Sequence, residues 1–263
     1  MTRFFHGYAD RTGNLTAVFP KELRGNYNSP VIRAIGFDLD NTLFDHRMAA
    51  TRGLELLIDE KSWAYHGNES VGSEWHRLED LYFAQYVAGT MTLIEHRRAR
   101  MRNFLTLTDV LIHNRELDAL WEDYLRHYSN SWIAYPDVTS VLRDLKTAGY
   151  KLAVLTNGQQ AQQEAKLATM GLKDFFEVVL AIGTVDALKP DRKAFDHLCR
   201  VLECAAEEVV YVGDDLDYDV RASINAGLRG VWLNRNNSPS PTDIPTHLQS
   251  LRSLKSLLGS EHA

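Results

Sequence analysis

From residue 137 onward the chain alternates between short apolar runs and helix-patterned stretches, and this alternation limits the possible folds more than any other feature. The apolar runs cover residues 150–155, 176–181, 208–212 and 230–233. Helical patterns fill 137–148, 160–170, 191–202 and 217–226; Gly149, Gly171 and Gly227 mark helix ends, and Pro190 marks a helix start. Strands separated by whole helices lack the tight turns that antiparallel pairing needs. They pair in parallel, and the crossover helices cover both faces of the sheet. One earlier run, Val31-Ile-Arg-Ala-Ile-Gly-Phe-Asp-Leu, reads as a buried strand ending near Asp38, and the Asp-Asn-Thr that follows is a turn signal. The pattern predicts an α/β protein with a three-layer, Rossmann-like parallel sheet core.

Between that first strand and the alternating region the character changes. Over residues 46–133 helix formers dominate, proline is absent and strand signals are weak. About four helices are expected, breaking near Gly67, Gly72, Gly89 and Asn114, as an inserted helical-bundle cap. The core then comprises residues 31–45 and 134–263. Residues 1–30 have no clear period and are expected to form a loosely structured N-terminal extension. Leu248, Leu251, Leu254, Leu257 and Leu258 are spaced by threes and fours, which predicts an amphipathic helix packed on the core.

Composition excludes several function classes. A net charge of -6 argues against binding a nucleic acid polymer, so an anionic ligand must be held by local cations. Cys199 and Cys204 form no metal-binding or disulfide pattern and read as free thiols. The histidines include no HExxH and no zinc-like spacing beside cysteine. The start resembles no signal peptide, and no run of 18 apolar residues occurs. A cytoplasmic monomer or homodimer without a membrane partner is expected.

In open parallel sheets ligands bind beyond the carboxyl ends of the strands. Asp38 and Asp40 follow the first strand; Thr156, Asn157 and Gly158 follow the second; Gly213, Asp214, Asp215 and Asp219 follow a later one; Lys189 precedes a helix. Carboxylates gathered at one rim repel one another unless a cation joins them. Ligands that are all oxygen favour a hard ion such as Mg2+, which commonly pairs carboxylates with phosphate oxygens. Asp38 and Asp40 are two apart, so in an extended segment both point the same way and can flank one group.

The segments Phe37-Asp-Leu-Asp-Asn-Thr-Leu, Leu155-Thr-Asn-Gly, Lys189-Pro and Val212-Gly-Asp-Asp-Leu-Asp-Tyr-Asp resemble, in order and spacing, the four motifs of the haloacid dehalogenase superfamily. The resemblance spans residues 31–258. It implies a phosphomonoester hydrolase with Asp38 as nucleophile and Asp40 as general acid and base. It also implies phosphate binding by Thr156, Asn157 and Lys189. A magnesium ion would be held by Asp38, the backbone carbonyl of Asp40, and Asp214. Thr42, Asp215 and Asp219 would brace that centre from behind. Asp at position 40 favours phosphate ester hydrolysis over dehalogenation; a phosphomutase of the same superfamily, or a silent binding protein on the fold, are the rivals.

Substrate is less constrained. The resemblance is to bacterial members acting on nucleoside monophosphates or flavin mononucleotide, with sugar phosphates as the close rival. The expected partner is a small phosphorylated metabolite. The insert is rich in aromatics, among them Trp63, Trp75, Trp121, Trp132, Tyr65, Tyr82, Phe83, Tyr86, Tyr124 and Tyr128. Most are expected to build the bundle core, leaving one or two to stack on a substrate ring. Arg97, Arg98, Arg100 and Arg102 lie about 100° apart on a predicted helix, so they cannot all face one site. Arg100 is the candidate substrate contact, by its position near the Arg-Phe pair of relatives.

Overall fold

The computed structural model describes residues 31–111, 113–184, 187–244 and 246–259. The expected N-terminal extension lies outside the described residues. Six parallel strands form one sheet: β1 (Ala34–Phe37), β2 (Lys151–Gln159), β3 (Val178–Ile182), β4 (Val209–Gly213), β5 (Arg229–Leu233) and β6 (His247–Leu248), in the order β3-β2-β1-β4-β5-β6. β1 is central, pairing Phe37 with Val154 on one side and Val212 on the other. The loops after β1, β2 and β4 therefore emerge side by side.

The side-chain period of two sorts each strand between two faces. Ile35, Phe37, Leu152, Val154, Val210 and Val212 join one apolar cluster, covered by α5 (Val138–Thr147), by Leu167 of α6 (Gln160–Thr169) and by Leu251, Leu254 and Leu258. Ala34, Ala153, Leu155, Val209 and Tyr211 join the other, covered by α7 (Arg192–Leu202) and α8 (Ala222–Ala226). Gly36 is required there: a Cβ would lie 2.8 Å from both Leu198 and Tyr211.

The insert consists of α1 (His46–Lys61), α2 (Val71–Val87), α3 (Leu93–Leu105) and α4 (Leu117–Ser129). Local chemistry starts these helices. Asp45 caps α1 by accepting from Met48 N at 2.9 Å, Ser70 caps α2, and Thr92 with Glu95 forms a capping box on α3. α1 packs on α2 and α4, and α3 packs on α2 and α4. The helix break expected near Gly72 falls just before it, and Gly72 itself is helical. It lies in the first turn of α2, where a Cβ would meet Thr51 Oγ1 at 2.7 Å, so it permits close approach to α1. Gly53 does the same for α1 against the Tyr128 backbone. Among the described residues the insert has no separate core: Leu54, Trp75, Phe104 and Tyr124 belong to the cluster that reaches the sheet through Leu39, Leu43 and Phe44.

Three further boundaries differ from the sequence pattern. β2 continues through Thr156-Asn157-Gly158, with a register shift against β3 between Leu155 and Gln159. α7 begins at Arg192 because Asp191, not Pro190, supplies the cap, accepting from Lys193 N at 2.9 Å. The leucine-rich C-terminal segment is divided. Leu248 pairs in β6, Leu251 opens a 3-10 turn, and only Leu254–Gly259 forms a helix (α9). The backbone N–H of Leu251 donates to Asp137 Oδ2 (2.8 Å), which also accepts from Ser250 and Arg235. That buried carboxylate fixes the turn and overrides the helical period. No helix among the described residues is long and apolar enough to cross a membrane.

Candidate active site

The loop leaving β1 turns sharply because Asn41 adopts the left-handed conformation (φ 61°), which asparagine tolerates better than most residues. Asn41 N donates to Phe44 O at 2.8 Å, closing the turn and leaving Asp38 and Asp40 at the rim. Asp38 is 7% exposed and accepts from Lys189 Nζ at 2.7 Å. The same ammonium donates to Asp219 Oδ1 at 2.6 Å and Tyr211 OH at 3.1 Å, so all three of its protons are engaged. The Asn157 side chain grips the Lys189 peptide at both ends, accepting from its N–H (2.8 Å) and donating to its carbonyl (2.7 Å). Asn157 thus holds the lysine through its side chain and also lines the cavity.

Asp214 completes the acidic cluster. Carboxylate oxygens of Asp38, Asp214 and Asp219 lie within 4.8 Å of one another. Gly213 makes this possible, since a Cβ there would fall 2.2 Å from Asp219 Oδ2. Trp232 Nε1 donates to the Asp214 carbonyl at 2.9 Å, and Thr42 Oγ1 donates to its carboxylate at 3.3 Å. Asp215 lines the cavity beside it and has a local task as well. It caps the π-type turn Leu216–Arg221, accepting from Asp217 N and Tyr218 N at 2.8 Å each.

Three carboxylates share one ammonium, and their protonation reflects the imbalance. Burial pushes Asp38 up to about 7, with Asp219 and Asp40 adding to the rise and Lys189 opposing it. Burial and the neighbouring Asp38, Asp219 and Asp215 push Asp214 well above the ordinary range. Burial works against the Lys189 charge, but Asp219 and Asp38 raise its pKa well above the usual value. A hard divalent ion fits this donor set: it is all oxygen, clustered and short of positive charge.

Asp40 has a separate set of partners, none of which the motifs name. Lys166 Nζ donates to Asp40 Oδ1 at 2.5 Å and Gln163 Nε2 to Oδ2 at 2.9 Å. Gln163 Nε2 also reaches Thr156 Oγ1 at 2.8 Å, linking the acid to the hydroxyl after β2. Burial alone would raise the Asp40 pKa, yet Lys166 and His46 hold it below the ordinary value. α6 has few large apolar residues, so its inward face must be polar. Gln163 and Lys166, three apart, lie on that inward face with Leu167, and nothing in the sequence alone separates them from solvated residues.

Above the rim lies a cavity of about 480 Å³, bounded by the insert and the loops after β1, β2 and β4. It brings together Asp38, Asp40, Thr156, Asn157, Lys189, Asp214, Asp215, Asp219 and Arg100; Thr42 stands behind Asp214. The aromatic residues of the insert divide. Trp75 is enclosed in the core, while Phe83, Tyr86, Trp121, Tyr124 and Tyr128 line the cavity. Arg100 is 2% exposed, donates to Glu79 Oε1 at 2.8 Å and lies 3.8 Å from the Trp75 ring centroid. His46, at the junction of core and insert, stands 3.0 Å from Glu79 and 2.8 Å from Tyr128 OH. Of the other arginines on α3, Arg97 lines the cavity, Arg98 pairs with Asp118, and Arg102 donates to Asn114.

Comparison with known proteins agrees with this architecture. The family model described as haloacid dehalogenase-like hydrolase matches residues 32–227. Human N-acylneuraminate-9-phosphatase is 28% identical over 240 residues, covering 84% of this chain and 95% of that protein. The pyrimidine 5'-nucleotidase YjjG of Escherichia coli is 27% identical over 230 residues, covering 85% and 96%. Among solved structures, the HAD-hydrolase YfnB from Bacillus subtilis, bound to magnesium, superposes with a TM-score of 0.75 at 22% identity, over 87% of this chain and 99% of that one. The chain belongs to the haloacid dehalogenase-like hydrolases and is a phosphoric monoester hydrolase of that family.

Proposed function

We propose that the protein is a magnesium-dependent phosphatase that hydrolyses a small phosphorylated metabolite through an aspartyl-phosphate on Asp38. The observation that carries this reading is the convergence of Asp38, Asp214 and Asp219, two of them bonded to Lys189, with a further, separately held carboxylate, Asp40, at the same rim. In the first step an Asp38 oxygen attacks phosphorus and the bond to the ester oxygen breaks. Asp40, ionised in the free site by Lys166 and His46, takes up a proton when the anionic phosphate binds beside it and passes that proton to the departing oxygen. In the second step Asp40 takes a proton from water, which attacks phosphorus; the acyl-phosphate P–O bond breaks, freeing inorganic phosphate and Asp38. Lys189 neutralises charge on the phosphoryl oxygens, and Thr156 and the backbone after it hold them. Magnesium, held by Asp38, the Asp40 carbonyl and Asp214, supplies charge neutralisation at phosphorus. Asp219 orients Lys189, and Thr42 orients Asp214. Asp215 serves the site through the turn it caps.

Two substrate readings have support. The aromatic wall suits a nucleoside monophosphate or flavin mononucleotide, and the nucleotidase YjjG is a relative. A sugar phosphate is favoured by an arginine in the same wall, and N-acylneuraminate-9-phosphatase is a relative. The test of the reaction is hydrolysis of p-nitrophenyl phosphate. Magnesium should be required, Asp38→Asn should abolish turnover, and Asp40→Asn should slow it roughly 10²–10⁴-fold. Turnover by folded Asp38→Asn, or full activity without a divalent ion, rejects the proposal.

A further inference from the structure

The part of the cavity wall supplied by the insert carries three guanidinium groups, Arg47, Arg97 and Arg100, and two carboxylates, Glu79 and Asp80. Both carboxylates are matched. Arg100 Nη1 is 2.8 Å from Glu79 Oε1, and Arg47 Nη2 is 3.6 Å from Asp80 Oδ2. Arg97 is left over. Among the described residues no carboxylate lies within ion-pair distance of it, and its one side-chain hydrogen bond runs from Nη2 to Gln159 Oε1 at 3.2 Å. Its guanidinium sits 5.7 Å from the Trp121 ring centroid, half-buried at the edge of the aromatic wall. Burial depresses its pKa, and the charge of Glu122, outside pairing distance, only partly offsets this.

A partly desolvated cation inside a cavity is stable when an anion joins it. The phosphate that reacts cannot be that anion, because it must sit at the sheet rim against Asp38 and Lys189. The missing charge therefore belongs to the leaving group. One guanidinium supplies one positive charge and a planar fork of donors, which matches a carboxylate better than a doubly charged phosphate. We propose that Arg97 anchors a carboxylate on the leaving group, so that the substrates are phosphorylated sugar acids or hydroxy acids, not nucleoside monophosphates. This rests on the phosphatase reading above and selects its substrate class. It places the specificity role on Arg97 of α3, one turn before Arg100, whose Nη1 is engaged by Glu79.

The test is a matched pair of six-carbon esters, 6-phosphogluconate and glucitol 6-phosphate, which differ by a carboxylate in place of a hydroxymethyl group. Steady-state kcat/KM is measured for both, with uridine monophosphate and p-nitrophenyl phosphate alongside. The wild-type protein should favour the acid over the alcohol by roughly 10- to 100-fold, the range of a charge-assisted hydrogen bond pair. Arg97→Ala should bring that ratio to about one, and Arg97→Lys should keep part of it. Gln159→Ala removes the protein acceptor but keeps the guanidinium, so it should leave the ratio in place. A wild-type ratio near one, a ratio unchanged by Arg97→Ala, or better turnover of uridine monophosphate than of the acid overturns the proposal. Equal loss in Gln159→Ala also overturns it, because Arg97 would then be a strut between insert and sheet. Turnover of p-nitrophenyl phosphate without acid preference sinks the carboxylate anchor alone; no turnover of any ester sinks the phosphatase reading with it.

Discussion

Neutralising Asp214 should stabilise the metal-free protein and remove its response to magnesium. The cluster of Asp38, Asp214 and Asp219 places like charges no more than 4.8 Å apart. At an effective dielectric of about 20, two unit charges at that separation repel by roughly 3 kcal/mol. Lys189 and partial protonation take up much of this, so Asp214→Asn should return about 1–2 kcal/mol to the metal-free fold. In a chain of this length that is a rise in Tm of about 2–8 °C. The amide oxygen can still accept from Thr42, so little packing is lost. The comparison belongs at pH 8. The folded pKa of Asp38 is raised to about 7 from an ordinary 3.8. Between those values the folded state keeps a proton that the unfolded state has lost, so metal-free stability falls as pH rises through the window. Above it Asp38 is ionised, and its own proton no longer relieves the repulsion within the cluster. Wild-type protein with magnesium at a hundredfold over its dissociation constant should gain about 2.7 kcal/mol, or about 5–10 °C. Asp214→Asn should lose most of that gain, and with it p-nitrophenyl phosphatase activity. Scanning calorimetry with EDTA and with magnesium reads both quantities. If metal-free Asp214→Asn melts below wild type at pH 8, or keeps the full magnesium shift, the electrostatic account of the cluster is wrong.

Other perturbations have defined signs. Burial, with Arg100 adding to it, lowers the His96 pKa to about 4 from 6.5, so the folded state keeps the ring neutral while the unfolded state takes a proton. Stability from this group is full above 6.5 and is lost as pH falls toward 4, by roughly 3 kcal/mol; denaturant titration should find His96→Phe flatter than wild type across that window. Gly53→Ala should destabilise by about 1–3 kcal/mol despite alanine's better helix propensity, because the new Cβ meets the Tyr128 backbone at 2.8 Å; a stabilised variant would refute the packing argument. Lys166→Met removes one of two side-chain donors to Asp40 and should lower kcat about tenfold or more with little change in KM. The loss should be larger for alkyl phosphates than for p-nitrophenyl phosphate, whose leaving group needs no proton; equal losses would argue for a structural role only.

Parallel pairing, three layers and the rim where chemistry gathers were legible because strand and helix periods are local properties of the chain. Asp38, Thr156, Lys189 and Asp214 were legible for the same reason: each ends or follows an element whose place in a parallel sheet is fixed by topology. Lys166 and Gln163 were not, since a lysine and a glutamine on a short helix read as solvated until that face is folded against Asp40. Arg97 and Arg100 look alike on α3, and only the packing of α2 beside it puts Glu79 against one and leaves the other without a counter-charge. Gly72 read as a helix breaker because glycine's intrinsic preference is local, while its use in α2 is set by Thr51 on another helix. The C-terminal leucines had a helical period that a single buried carboxylate, Asp137, cut short. Sequence alone determined which residues alternate, turn and end strands, because those signals act within a few residues. Tertiary structure decided which charges are paired, because pairing depends on distances between segments far apart in the chain.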